Sequence, residues 1–190
     1  MAGAPPIAPA FPLPEAVLTR ARAVRLVVFD VDGVLTDGRI ILGADEYKAF
    51  DIKDGHGIKM LQRHGVVVGI LTGRTSVAVE RRARELDIRH VVQGAGEKLP
   101  RFRELLAALA LAPEQAAYVG DDVVDLPVLL QVGLGIAVAD AHPLVKRHAH
   151  WTTPSGGGRG AAREACEIIL HAQGRYEAAM APYLTAKRDD

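Results

Sequence analysis

Asp30 and Asp32 stand one residue apart, directly after the uninterrupted apolar run Leu26-Val27-Val28-Phe29 and directly before Gly33. Two carboxylates at this spacing can divide a reaction between them. Residues i and i+2 of an extended chain project to the same side, so Asp30 can attack as a nucleophile while Asp32 gives or takes a proton. The plainer reading is that the pair only begins a turn with Gly33. Three distant stretches bear on the choice: Leu71-Thr72-Gly73-Arg74, Lys98, and Gly120-Asp121-Asp122-Val123-Val124-Asp125. The first and third also follow apolar runs, and Lys98 opens a helical segment after Val91-Val92. A hydroxyl, a glycine amide, an ammonium and further carboxylates would then gather with Asp30 and Asp32 at one sheet edge, the place where open α/β sheets bind ligands.

These groups need a scaffold, and the hydrophobic pattern supplies one. A wholly apolar run such as residues 26–29 is the mark of a strand buried on both faces of a parallel sheet. Residues 39–42 and 46–52, around a turn at 43–45, read as a β-hairpin inserted after that first strand. A helix over 57–64 ends at Gly65, a natural left-handed position. From there strands at 66–71, 89–92, 116–119 and 134–138 alternate with helices at 75–86, 98–110, 123–131 and near 142–147. Phe102, Leu105, Leu106 and Leu109 give one of them an apolar stripe. The alternation predicts an α/β fold, a doubly wound, Rossmann-like parallel sheet with right-handed crossovers. A short helix at 15–23 precedes it. After the glycine-rich stretch Ser155–Gly160 come a helix at 161–172 and a last helical piece near 176–185. The expected organisation is a flexible Pro-rich arm over 1–14, one domain over 15–174, and a helical tail over 175–190.

Composition excludes several classes. The chain has 190 residues, 49% hydrophobic and 24% charged, which suits one globular domain with a real core. Lys plus Arg and Asp plus Glu both total 23, so no general attraction to nucleic acid or to an anionic membrane is expected. No apolar run approaches the length of a membrane span, and no secretory leader pattern opens the chain, so the reading is a cytoplasmic protein. The single Cys166 lies on the face of a helix with Ala162, Ile169 and Leu170 and reads as core packing.

Taken in order and spacing, the four stretches resemble the motifs of the haloacid dehalogenase superfamily. The resemblance implies phosphoryl transfer with Asp30 as the nucleophile that becomes an aspartyl phosphate, and Asp32 as the acid that protonates the leaving oxygen and later activates water. It assigns Mg2+ to Asp30, the backbone carbonyl of Asp32, and Asp121. Thr72, the Gly73 amide and Lys98 hold the phosphate. Asp122 and Asp125 read as capping or supporting groups, Asp125 as the ion-pair partner of Lys98. Residues 33–54 and 75–97 leave no room for the cap domain common in this superfamily. A phosphoacceptor signalling module would have no use for Asp32 as an acid. A dehalogenase releases halide and needs no proton there.

Within the superfamily the chain resembles one cap-less branch, the 3-deoxy-D-manno-octulosonate 8-phosphate phosphatases, over about residues 22–174. The supporting stretches are residues 29–38, 50–57, 71–74, 120–127 and 156–164. That likeness implies a sugar acid phosphate substrate in lipopolysaccharide biosynthesis, with a nine-carbon acid 9-phosphate as the alternative. It also implies a homotetramer whose sites a neighbour's hairpin closes. Arg74 is the first candidate to meet the substrate carboxylate, with Lys53 and His56 near the hairpin base as others, and Arg159 and Arg163 near the glycine-rich loop are read as bringing positive charge to the bound sugar phosphate. That loop is read as a lid or a linker. Ile40, Ile41, Leu42 and Phe50 are expected to form an exposed apolar ribbon on the hairpin.

Overall fold

The computed structural model describes residues 7–12, 14–43 and 46–184. Six strands form one parallel sheet: β1 (Leu26–Phe29), β4 (Val67–Leu71), β5 (His90–Val92), β6 (Ala116–Gly120), β7 (Leu134–Ala137) and β8 (Trp151–Thr152). Their spatial order is β5-β4-β1-β6-β7-β8. A separate antiparallel pair, β2 (Ile41–Leu42) and β3 (Glu46–Tyr47), is the hairpin inserted after β1, and the described residues contain no separate cap domain. The helices are α1 (Glu15–Arg22), α2 (Ile52–Arg63), α3 (Val77–Glu85), α4 (Lys98–Leu109), α5 (Leu126–Leu129), α6 (Pro143–His148), α7 (Ala161–Ala172) and α8 (Tyr176–Leu184).

The order explains where a ligand can bind. From β1 the chain crosses through α2 to β4 on one side and then through α3 to β5. It returns through α4 to β6 on the other side of β1. Right-handed crossovers running in opposite directions cover opposite faces of a sheet, so the crevice opens at the carboxyl end of β1, between β4 and β6. Every residue of β1 and of β6 is buried, as their apolar runs require.

Several boundaries differ from the sequence reading, each for a local reason. The second helix starts at Ile52, five residues before 57, because Asp51 caps it by accepting from the Lys53 amide at 2.6 Å. Gly55 and Gly57 therefore lie inside the helix. A Cβ at Gly55 would stand 2.3 Å from an Arg82 guanidinium nitrogen, and one at Gly57 would stand 3.0 Å from the Arg163 Cα. These glycines let α3 and α7 approach α2 closely. The hairpin strands are only two residues each, with the turn residues 44 and 45 outside the described residues. The span 123–131 divides into a 3-10 turn, Val123–Asp125, and the short α5, which begins beside Pro127. Two-residue β8 carries too little pattern to be seen in sequence.

The two ends are described in part, and the last helical piece lies at Tyr176–Leu184 as expected. Over residues 7–12 the arm has no regular structure, but it is docked: Pro9 is buried, Ile7 and Phe11 pack on the core, and the Phe11 ring lies 5.5 Å from that of Trp151. The rest of the flexible-arm expectation, 1–6 and 13, lies outside the described residues, as do 185–190 of the tail. Cys166 is fully buried in α7, and burial pushes its thiol well above the usual range. No helix among the described residues is long and apolar enough to cross a membrane.

Candidate active site

The chain turns sharply after β1. The Asp30 amide donates to the Val119 carbonyl at 3.0 Å, extending the β1–β6 ladder by one step and fixing the first carboxylate at the sheet edge. Thr36, fully buried, then closes the turn. Its hydroxyl donates to the Val31 carbonyl at 3.2 Å and accepts from the Gly33 and Gly38 amides. Gly33 has φ +88, and a Cβ there would stand 2.1 Å from Asp121 Oδ2. Only glycine serves both the backbone and the carboxylate behind it.

Asp30 and Asp32 line a cleft of about 250 Å³ together with Thr72, Gly73, Lys98 and Asp121. The sequence-predicted groups are thus brought together by three strand ends, those of β1, β4 and β6, and the start of α4. Size alone does not select this place, since a larger groove of about 590 Å³ lies beside Lys59, Arg63 and Arg89 and contains none of the motif residues. Asp30 Oδ1 accepts from the Val31 amide at 2.7 Å, and Oδ2 lies 2.7 Å from Lys98 Nζ. Burial raises the Asp30 carboxyl to about 6, with the Asp125 charge adding to it and Lys98 opposing. Burial also works against the Lys98 charge, but Asp30 and Asp125 outweigh it and hold the ammonium above its ordinary range.

Asp125 is the support beneath this pair. It is fully buried, and one oxygen accepts from Lys98 Nζ and from the Tyr118 hydroxyl, both at 2.6 Å. The other oxygen accepts from the Asp121 and Asp122 amides at 3.0 and 3.2 Å. Gly120 makes room for it, because a Cβ there would fall 2.7 Å from the Asp125 carboxyl. Tyr118 is a partner that the sequence reading missed; it lies two residues before Gly120 in an apolar run, where a lone tyrosine looks like core. Asp122 is exposed and caps the 3-10 turn through the Val123 amide.

Asp121 differs from Asp125. Its Oδ1 is buried with no hydrogen-bond partner, and burial, with Asp125 and Asp30 nearby, raises its carboxyl to about 7. Oxygens of Asp30, Asp121 and Asp125 all lie within 4.8 Å of one another. Four donors already occupy Asp125, and each Asp30 oxygen has one, so the oxygen left without a partner is Asp121 Oδ1. An orphaned buried carboxylate oxygen beside a second carboxylate suits a hard divalent cation, which takes oxygen ligands and tolerates few protein groups. Thr72 is buried, and its hydroxyl accepts only at 3.4 Å, from the Arg74 amide.

Of the proposed recognition residues, Arg74 alone reaches the cleft. Its Nη2 donates to Glu46 at 2.6 Å and its Nε lies 3.8 Å from Asp32 Oδ2. Lys53 is exposed at the start of α2, outside the cleft, and His56 packs edge-on against Tyr183 at 5.3 Å. Arg163 is committed to α7: its side chain pairs with Glu167 at 2.5 Å and its amide donates to Asp54 at 2.7 Å. Arg159 is exposed near Asp37, outside the cleft. Missed in sequence was Lys48, whose buried ammonium pairs with Asp32 Oδ1 and lies 3.3 Å from Glu46. The signal was present, because Glu46 and Lys48 are two residues apart and share one side of an extended chain.

The glycine-rich loop is packed against the turn after β1. The Gly158 amide donates to the Val34 carbonyl and the Gly157 amide to Asp140, both at 2.9 Å. A Cβ at Gly157 would stand 1.8 Å from the Gly33 carbonyl oxygen, so the loop is pressed against the turn that carries Asp30 and Asp32.

Comparison with known proteins agrees with this geometry. A family model described as haloacid dehalogenase-like hydrolase matches residues 90–164. The 3-deoxy-D-manno-octulosonate 8-phosphate phosphatase of Yersinia pestis is 49% identical over 170 residues, covering 88% of this chain and 91% of that one. The crystal structure of a probable YrbI family phosphatase from Pseudomonas syringae superposes with a TM-score of 0.90 at 51% identity, covering 92% and 100% of the two chains. A 3-deoxy-D-manno-octulosonate 8-phosphate phosphatase from Moraxella catarrhalis, in complex with magnesium ion, phosphate ion and KDO, superposes with a TM-score of 0.86 at 38% identity, covering 88% and 97%. Likeness at this level, over nearly the full length of both partners and with the motif residues meeting in one cleft, leaves one conclusion: the chain belongs to the haloacid dehalogenase-like hydrolases, in the 3-deoxy-D-manno-octulosonate 8-phosphate phosphatase family.

Proposed function

We propose that this protein hydrolyses 3-deoxy-D-manno-octulosonate 8-phosphate to the free sugar acid and phosphate, through an aspartyl phosphate on Asp30, with Mg2+ as cofactor. The observation that carries the reaction is the convergence of Asp30, Asp32, Thr72, Lys98 and Asp121 on one small cleft. The substrate follows from the names of the relatives, and the metal from the orphaned Asp121 oxygen together with the magnesium of the Moraxella relative.

Asp30, Asp121 and the Asp32 carbonyl would hold the ion. Bound there, it supplies positive charge that removes the repulsion between Asp30 and a dianionic ester. Thr72, the Gly73 amide and Lys98 orient the phosphoryl oxygens. Asp30 forms a bond to phosphorus as the bond to the sugar oxygen breaks, and Asp32 gives that oxygen its proton. Asp32 then takes a proton from the water that releases phosphate and restores Asp30. Asp125, with Tyr118 beneath it, keeps Lys98 directed at Asp30 throughout.

The reading extends to assembly and place. Residues 15–174 form the catalytic unit, with 1–14 and 175–190 as appendages. Ile41 at 60% exposure and Leu42 at 81% offer an apolar ribbon that a homotetramer covers. Phe50 is not part of it, since it is half-buried with the Arg82 guanidinium 5.8 Å above its ring. A charged sugar phosphate does not cross a bilayer unaided, which favours action in the cytoplasm. The test is phosphate release across a panel of sugar and sugar acid phosphates, with Mg2+ and with EDTA. A preference for the eight-carbon acid phosphate is expected; equal rates on simple hexose phosphates would overturn the substrate assignment.

A further inference from the structure

Asp32, Lys48, Glu46 and Arg74 form a closed ring of alternating charge. Lys48 pairs with Asp32 Oδ1 and stands 3.3 Å from Glu46 Oε1; Arg74 Nη2 donates to Glu46 Oε2 at 2.6 Å; Arg74 Nε stands 3.8 Å from Asp32 Oδ2. Three separate segments contribute: the turn after β1, the hairpin strand β3 with the residue just beyond it, and the end of β4. The ring is electrically balanced, two cations against two carboxylates. Lys48 is its best-sheltered member, with a side chain 0% exposed, whereas that of Arg74 is half exposed.

The two oxygens of Asp32 are treated differently. Oδ1 is taken by the buried ammonium. Among the described residues, Oδ2 has only the Arg74 nitrogen near it, beyond hydrogen-bond reach. The carboxylate is therefore clamped by one oxygen while the other stays free at the cleft that also contains Asp30. Glu46 lies between the two cations, with Oε1 3.3 Å from the Lys48 ammonium and Oε2 accepting from Arg74 Nη2.

We propose that Lys48 is a positioning residue for the reaction: it clamps Asp32 Oδ1 and so presents Asp32 Oδ2 as the oxygen that hands its proton to the leaving group. This rests on the proposed role of Asp32 as general acid. It also gives the hairpin a task within its own subunit, because a displaced hairpin removes the clamp. Misplacing a proton donor by a fraction of a bond length weakens its help to a poor leaving group and matters little to a good one.

The experiment compares kcat/KM, which reports formation of the aspartyl phosphate, on 3-deoxy-D-manno-octulosonate 8-phosphate and on p-nitrophenyl phosphate. For Lys48→Met the expected loss is about 10–100-fold on the sugar phosphate and under about threefold on p-nitrophenyl phosphate, with most of it restored in Lys48→Arg. Circular dichroism melting identifies folded variants, and Lys48→Gln, which keeps a donor without the charge, stands in if the methionine variant does not fold. Equal losses on both substrates, or none on either, would overturn the clamp. Asp32→Asn, run alongside, separates the two ideas: a leaving-group-dependent loss there with none in Lys48→Met defeats the positioning role alone, whereas no such loss in Asp32→Asn defeats the general acid reading itself.

Discussion

Removing the metal should make this protein less stable as pH rises, and returning it should cancel much of that slope. Without a cation, Asp30 is raised from 3.8 to about 6 and Asp121 from 3.8 to about 7, both chiefly by burial. A carboxyl group whose folded value lies above its unfolded one binds its proton more tightly in the folded state. Its contribution is complete below the unfolded value and is lost as pH rises through the folded one, here from about pH 4 to about pH 7. At about 1.4 kcal/mol per unit the shifts correspond singly to about 3 and about 4 kcal/mol. Part of the Asp121 shift comes from Asp30 itself, and Asp121 borders a solvated cleft, so we take about 3–5 kcal/mol for the pair. In a chain of this size that is a fall of roughly 10 °C in Tm. A metal at 100 times its Kd adds about 2.7 kcal/mol at pH 8. At pH 5 it must first displace both protons, which weakens apparent affinity by about 10³-fold and removes the gain at the same concentration. Asp54, raised to about 6 by burial, adds a slope of the same sign that no metal relieves, because it sits on α2 bonded to the amides of Gly160 and Arg163. Differential scanning fluorimetry from pH 4.5 to 8, with EDTA and with Mg2+, reads all of this. A metal-induced Tm shift of equal size at pH 5 and pH 8 would refute the reasoning.

Three further perturbations probe the remaining parts. Asp30→Asn should abolish turnover and leave no phosphate bound to the protein after acid quench; turnover at the native rate would end the covalent mechanism. Arg74→Ala should lower kcat/KM by about 10–100-fold on the sugar acid phosphate, the value of a charged hydrogen bond, and by much less on p-nitrophenyl phosphate. Equal losses on the two substrates would remove Arg74 from recognition of the carboxylate. Leu42→Asp should shift light scattering toward the monomer without unfolding the sheet, since Leu42 touches no core within its own chain; an unchanged mass would place the subunit interface elsewhere.

The sequence was most informative where one periodicity and one chemistry coincided. An apolar run ending in a polar motif marks a strand edge, and this happens after β1, β4 and β6, so Asp30, Asp32, Thr72 and Asp121 were legible as a group. Lys98 was legible only through its order among the others, since a lysine opening a helix is ordinarily a solvated residue. Contacts that depend on the third dimension were not legible. The helix read over 57–64 starts at Ile52, and that Gly55 and Gly57 let Arg82 and α7 lie against it shows only in the fold. Arg163 read as a free cation until Glu167, one turn away, is seen to hold it. Lys48 was hidden because the hairpin that carries it looked like an exposed ribbon.

The glycine-rich loop shows how the same residues can mean opposite things. Glycines permit motion, and they also permit close approach. Here the second property governs. Ser155 is held at both ends by Glu164, its amide at 3.0 Å and its hydroxyl at 2.6 Å, while Gly160 begins α7 beside Asp54. Between those anchors Gly157 and Gly158 lie on the carbonyls of Gly33 and Val34 and on Thr36. A side chain at either position would push the turn after β1, and with it Asp32, out of line with Lys48. The loop therefore supports the turn from behind while the hairpin holds Asp32 from the front. Two carboxylates two residues apart, if they are to act as nucleophile and proton donor, need both restraints, because the backbone between them is the only covalent part of the geometry they share.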